Sequence, residues 1–385
     1  MPVFGVPANQ FESIIAVIPA TRFCKEGATM RQARFFGLIF VCATLAGVAF
    51  GKGAATNATQ WVQLGQARQW LSQNPPDGTN AAERRKWMVP IQNACDQLSS
   101  SNYWDYVSTW ETRKAQAVQL EKVTPALRYL HAATADVMAE IRHTQVRQGV
   151  AVWFLYNMGY VFKTPKACFG IDLFGRDVEK LAPDLDFLLI SHEHGDHSVP
   201  PLIKAMVDKR KPVLTRWQAG TTIVTQGTNC QFGEVHVKVD IGDHGRGQKD
   251  QQNNMLMFEV NCGPSANGVV IYHSGDASNY EKMRPSKPVD IFIVHVGVGG
   301  MSVPKAIRHL KPKMTLVSHV LELGHSPTPP QAWRWSYDYA FNVIRDIPEK
   351  EATVLTWGER WLVPGTLLKG GDPRAASSAK QRRSW

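Results

Sequence analysis

Seven residues, Ser191-His192-Glu193-His194-Gly195-Asp196-His197, follow directly on the apolar run Phe187–Ile190. Three histidines and an aspartate this close together, on a turn leaving a buried strand, restrict the chain to folds in which a sheet delivers metal-binding side chains to one end. The chain has 12 histidines in 385 residues, so the pattern arises by accident with odds on the order of one in a thousand. A solvated polar turn is the plain alternative. Alternate positions send two imidazoles one way and the adjacent Asp196-His197 pair another, so a single loop can feed two ions.

The same kind of ending recurs downstream. Val235–Ile241 reads as a strand and runs into Gly242-Asp243-His244, Val269–His273 into Ser274-Gly275-Asp276, and Thr315–Ser318 into His319. A lone histidine after a strand is more often a satisfied surface or core residue. Four strands that each carry a His or Asp at the carboxyl end form a convergent set, and such sets build sites.

With these residues in view, the sequence resembles the metallo-β-lactamase superfamily over about residues 149–365, with nothing comparable upstream. His192, His194, Asp196 and His197 match its signature loop, and His244 its third motif. Asp276, within His273-Ser274-Gly275-Asp276-Ala277, matches its bridging aspartate, and His319 its last histidine. Asp172 matches the aspartate that precedes the signature loop and supports a ligand from behind.

The resemblance implies an α/β fold, a four-layer αββα sandwich of two similar halves. It also implies two divalent metal ions, one held by His192, His194 and His244, the other by Asp196, His197 and His319, with Asp276 bridging. Zn²⁺ suits such an imidazole and carboxylate set, and Mn²⁺ or Fe²⁺ would fit as well. Asp196 and Asp276 are then catalytic as well as ligating, because a water bridging two cations loses its proton near neutral pH and becomes the nucleophile. His325, shortly after His319, is a candidate acid for the leaving group, an exposed loop histidine being the alternative.

The stretch from Gly300-Met301-Ser302 to His319 resembles the branch of ascorbate-lactone hydrolases and N-acyl phosphatidylethanolamine phosphodiesterases. True β-lactamases of the superfamily lack an aspartate where Asp276 stands, which argues against antibiotic hydrolysis. The interval of about 46 residues between His197 and His244 is too short for an inserted domain. The expectation is an exported dinuclear hydrolase, a phosphodiesterase or lactonase acting on a small or lipid-like anionic ester. A nuclease or a mononuclear iron dioxygenase of the same fold is the alternative among enzymes, and a surface binding protein with a structural metal site the alternative outside them. Nucleic acid is not favoured as a partner.

Composition serves mainly to place the ends. With 44% hydrophobic and 20% charged residues the chain buries a core, which excludes wholesale disorder. The net charge of +10 is concentrated partly in residues 369–385, a basic tail holding Lys369, Arg374, Lys380, Arg382 and Arg383 against Asp372. Residues 1–55 read as a leader: within 30–51, Arg31 and Arg34 precede an apolar run from Phe35 to Phe50, the layout of a signal peptide. The run is a little short for the roughly 20 residues of a spanning helix, so cleavage near Gly51 or Ala55 is favoured over a retained anchor or a buried helix. A start of translation at Met30 is expected, and membrane contact only through this segment or the tail. Cys95, Cys168, Cys230 and Cys262 then remain, as scattered thiols or in up to two disulfides.

Residues 56–148 read as helical, divided by the turn Asn74-Pro75-Pro76-Asp77-Gly78, with a helix from Thr124-Pro125 to Gly149. Tyr103, Trp104, Tyr106 and Trp110 stand at helical spacing and read as core or inter-helix packing, with ligand binding by this aromatic group as the alternative. Residues 149–368 form the α/β domain, with helices at about 200–209, 302–310 and 329–346. Trp333, Trp335, Trp357 and Trp361, with Arg334 and Arg360, read as packing of the last helix or as an aromatic, cationic mouth.

Overall fold

The computed structural model describes residues 46–217, 220–245, 252–328 and 333–370, with side chains from 58 onward. The basic tail beyond residue 370 and all but the last residues of the signal-like segment lie outside these. From Phe50 on, the described residues form one compact unit, helical segment and sheets together.

Among the described residues five helices come first: α1 (Ala46–Gln73), α2 (Ala81–Asp96), α3 (Ser100–Val107), α4 (Lys114–Val123) and α5 (Pro125–His143). Pro125 opens α5, where its missing N–H is no loss, and Leu127, Leu130, Val137, Met138 and Ile141 recur on its buried face. The helix stops at His143, short of Gly149, because Thr144 turns extended and the chain enters a strand, β1 (Val146–Gln148). Among the described residues no helix is long and apolar enough to cross a membrane.

The remaining strands are β2 (Ala151–Phe154), β3 (Tyr160–Lys163), β4 (Cys168–Ile171), β5 (Phe187–Leu189), β6 (Val213–Thr215), β7 (Thr222–Ile223), β8 (Asn229–Phe232), β9 (Val235–Gly242), β10 (Met255–Asn261), β11 (Val270–His273), β12 (Ile291–His295), β13 (Met314–Ser318), β14 (Ala352–Val354), β15 (Arg360–Leu362) and β16 (Leu367–Leu368). Three helices lie among them: α6 (Pro200–Asp208), α7 (Val303–Leu310) and α8 (Tyr337–Val343). Two seven-stranded sheets result, ordered β15-β2-β3-β4-β5-β6-β7 and β8-β9-β10-β11-β12-β13-β14, and β1 pairs with β16.

In those orders both sheets follow one pattern, three antiparallel pairings and then three parallel ones. The halves are therefore alike, as expected of the sandwich. Their inner faces meet where the Tyr160 hydroxyl lies 2.6 Å from Ser318 Oγ and where Phe187 stacks on Phe232 at 4.2 Å. Strands β2, β4, β5, β11 and β12 are buried at every position, which is why they read as unbroken apolar runs.

The helix expected over 329–346 is shorter. Among the described residues of that stretch only α8 is helical, starting where the Ser336 hydroxyl accepts from Tyr339 N. Just upstream, Arg334 turns inward as part of a loop. The four cysteines Cys95, Cys168, Cys230 and Cys262 are free thiols.

Candidate metal centre

Strands β11, β12 and β13 are mutually parallel, and β9 runs the same way as β11 because β10 is antiparallel to both. Their carboxyl ends therefore lie at one edge, which gathers His244, Asp276 and His319. The other sheet brings the loop after β5 to the same place: the Nε2 atoms of His192, His197, His244 and His319 lie 3.9, 3.3, 3.7 and 3.6 Å from Asp276 Oδ2. Asp196 Oδ2 is 3.3 Å from Nε2 of both His197 and His319 and accepts from Asn157 Nδ2 at 3.0 Å. The His194 ring lies against those of His192 and His244, at 4.4 and 4.5 Å. All seven residues singled out in the sequence thus meet at one edge.

Asp172 holds the signature loop from below. Its Oδ1 accepts from Ser191 N at 2.7 Å, and its Oδ2 accepts from the Ser191 hydroxyl at 2.6 Å and lies 3.0 Å from His197 Nδ1. With its Nδ1 proton on that carboxylate, the His197 ring offers Nε2 to the site. Asn157, Asp172, His319 and Leu321 all have φ between 50° and 61°. Such left-handed backbone at four non-glycine residues is strain concentrated around one site. Gly275 has φ 51°, and a Cβ there would lie 2.8 Å from that of Ser191.

The donors fit a metal. Four overlapping groups, His192/His194/His244, His192/His197/Asp276, Asp196/His197/His319 and Asp276/His295/His319, each have ligand-type atoms within 4.8 Å of one another. Nε2 of His192, His197 and His244 and Oδ1 of Asp276 are buried and make no well-formed hydrogen bond, a loss a bound cation would make good. Burial, with the charge of His197 beside it, holds His192 well below the usual histidine range, so its lone pair is available. Burial opposes ionisation of Asp276, yet His197, His319 and His295 overcome it and hold the carboxyl well below its ordinary value. Burial likewise opposes a charge on His197, but Asp276 and Asp196 raise it well above the histidine range.

One member of the cluster escaped the sequence reading. His295 ends β12 and stacks on His319 at 4.1 Å. Its Nδ1 accepts from Gly297 N at 2.9 Å and Val298 N at 3.0 Å, so in the neutral ring Nε2 carries the proton and is a donor rather than a ligand. The rule that found His319, a histidine closing an apolar strand, applies equally to Ile291–His295; Val296 after it masked the strand end.

His325 stands at the rim. Its ring is 6.3 Å from that of His319, and its Nδ1 pairs with the buried carboxylate of Glu322. A cationic mouth does not form: Arg334 is buried and bonded to backbone carbonyls, and Arg360 is buried against Glu140 at 2.9 Å. Trp357 and Trp361 are buried, while Trp333 stays exposed with its ring 5.8 Å from that of His325. Beside His244 a cavity of about 400 Å³ is lined by Asp243, Gly245, Ser278, Tyr280, Ser302 and Lys305 among others.

Residues 160–319 match the β-lactamase superfamily domain. A UPF0173 metal-dependent hydrolase of Archaeoglobus fulgidus is 24% identical over 153 residues, 35% of this chain and 65% of that protein. Another, of Carboxydothermus hydrogenoformans, is 28% identical over 193 residues, 44% of this chain and 83% of that one. Among solved structures, a metallo hydrolase of Ignicoccus hospitalis superposes with a TM-score of 0.42 at 13% identity, covering 58% of this chain and 99% of that one.

Proposed function

We propose that the chain, whose residues 160–319 match the β-lactamase superfamily domain, is a metal-dependent hydrolase of that superfamily, and that it is an exported, dinuclear enzyme opening a phosphodiester or lactone in a small or lipid-like anionic substrate. The observation that carries the reading is Asp276 Oδ2, which lies between 3.3 and 3.9 Å from four imidazole nitrogens. One carboxylate central to two histidine sets is the arrangement that two sites sharing a ligand require. His192, His194 and His244 would hold one ion, and Asp196, His197 and His319 the other. Zn²⁺ is the metal proposed, since it suits a set of imidazoles and carboxylates, with Mn²⁺ and Fe²⁺ accommodated by the same donors.

When bound, such cations supply Lewis-acid activation of water and of the scissile group. The chain's own residues then orient the reactants and move protons. Asp172 fixes the tautomer of His197, and Asn157 holds one oxygen of Asp196 in place. His325, oriented by the Glu322 carboxylate, delivers a proton to the leaving oxygen. The cavity beside His244 takes the body of the substrate, with Lys305 offering a cation on its wall. Export is proposed from Arg31, Arg34 and the apolar run to Phe50.

The test is metal analysis of the purified protein together with turnover of bis(p-nitrophenyl) phosphate, a lactone and a β-lactam. Close to two metal ions per chain and chelator-sensitive turnover of the first or second substrate are expected. Efficient hydrolysis of the β-lactam alone would refute the substrate class, and full activity without metal would refute the reading as a whole.

A further inference from the structure

We infer that Trp104, carried by the amino-terminal helical segment, forms a wall of the metal centre and takes an apolar, preferably aromatic, group of the substrate against its indole face. This rests on the hydrolase reading above. Helix α3 lies upstream of the matched domain, which begins at residue 160, yet Trp104 reaches the ligand loops. Its Nε1 donates to Gly324 O at 3.1 Å. A Cβ on Gly324 would lie 2.6 Å from the indole ring, so only glycine admits this approach, and a Cβ on Gly195 would lie 3.9 Å from the ring edge. The ring is therefore bonded to the loop that follows His319 and lies beside Gly195 of the loop that carries His192–His197.

Its place is fixed by independent links. The buried Arg334 guanidinium donates to Leu98 O at 2.8 Å on the helical side and to Leu323 O at 2.7 Å on the loop side. Leu323 N donates to the Tyr156 hydroxyl at 2.6 Å, and the Tyr156 ring packs 6.1 Å from that of Tyr103. Tyr103 and Tyr106 are fully buried, whereas Trp104 of the same helix is 40% exposed. An indole held rigidly beside metal ligands with part of its surface in water gains by covering that surface with another apolar group. A cationic ligand group is disfavoured there, because the loaded centre is itself positive. Trp104 is thus a specificity-determining residue that the domain alone does not contain.

The experiment uses the full chain loaded with Zn²⁺ and titrates phenylphosphonate and methylphosphonate by calorimetry, two probes sharing a headgroup and differing in the aryl group. Trp104→Ala should weaken phenylphosphonate about five- to tenfold, leave methylphosphonate unchanged and keep the metal content. Trp104→Phe should restore most of the phenyl preference, and it guards against a variant that fails to fold. Equal weakening of both probes, loss of metal in the variants, or a wild-type chain that does not prefer the phenyl probe would overturn the inference. Because binding is read rather than turnover, a chain that binds the phenyl probe through Trp104 but hydrolyses no ester would sink the proposed reaction and leave this wall standing.

Discussion

Asp276 faces more imidazoles than any single role in packing needs. With Asn in its place one oxygen remains to face them, but the negative charge is lost. Asp276→Asn should therefore lower kcat of phosphodiester hydrolysis by about 10²-fold or more while changing KM little, and an equal effect on both would remove Asp276 from the reaction. Asp196→Ala should leave the protein folded with at least one ion fewer per chain, as read by metal analysis. Protonation supplies a third check. Burial disfavours charge on His197 and His319, but their carboxylate neighbours raise both above the ordinary histidine value, about 6.5. Without metal both rings hold protons at that pH, and a ligand must give its proton up. Adding Zn²⁺ to the apo protein near pH 6.5 should release protons, measured with an indicator dye, and affinity should rise with pH as these rings titrate; binding without release would contradict the assignment of these two ligands. His325→Gln should matter by leaving group, costing about 10²-fold with a poor alkoxide and far less with p-nitrophenolate, which departs without a proton.

At the scale of elements, the helical segment and the sandwich are welded by buried charge as well as by apolar contact. Arg84 of α2 makes a fork to Glu359 just before β15, with both hydrogen bonds at 2.8 Å, and donates again to Asn74 O at 2.7 Å. Both side chains are almost wholly buried. Removing one partner strands the other in a medium of low polarity, so Arg84→Ala should destabilise the fold by about 3–5 kcal/mol, while Arg84→Met with Glu359→Leu should cost far less. Thermal melts of the single and double variants decide this, and equal losses would mean that packing rather than charge is at stake. The loop before α8 shows why its expected helix was too long. Trp333, Trp335 and the residues around them have apolar spacing compatible with a helix, but Arg334 is engaged by Leu98 and Leu323 carbonyls, contacts a helical backbone there would have to give up.

At the scale of the molecule, two sheets built on one pairing pattern place their loaded edges together, so the site belongs to neither half alone. Asp172 and the signature loop come from one sheet, and His244, Asp276, His295 and His319 from the other. The first residues of the chain bear on where the protein works: the native mature form should begin between about Gly51 and Asn57, and amino-terminal sequencing that recovers Met1 from the cytoplasm would defeat the export proposal.

Three of the four strands that carry ligands were legible because a strand buried on both faces must be written almost entirely in apolar residues, so a histidine or aspartate at its end stands out, whereas β9, with exposed positions, was legible by its alternation. Phe187–Leu189, Ile271–His273 and Leu316–Ser318 are of this kind. Short or half-exposed strands, such as β7 with both residues exposed and β8 with alternating exposure, carry no such mark. Local sequence thus determined the donors and the ends on which they stand, since these follow from burial one strand at a time. What only the tertiary structure decided depends on partners far away along the chain: the burial of Arg334 between two segments, and the arrival of Trp104 at a centre whose ligands begin some 90 residues later. A side chain's own type fixes which bonds it can make, but packing selects which of them are made.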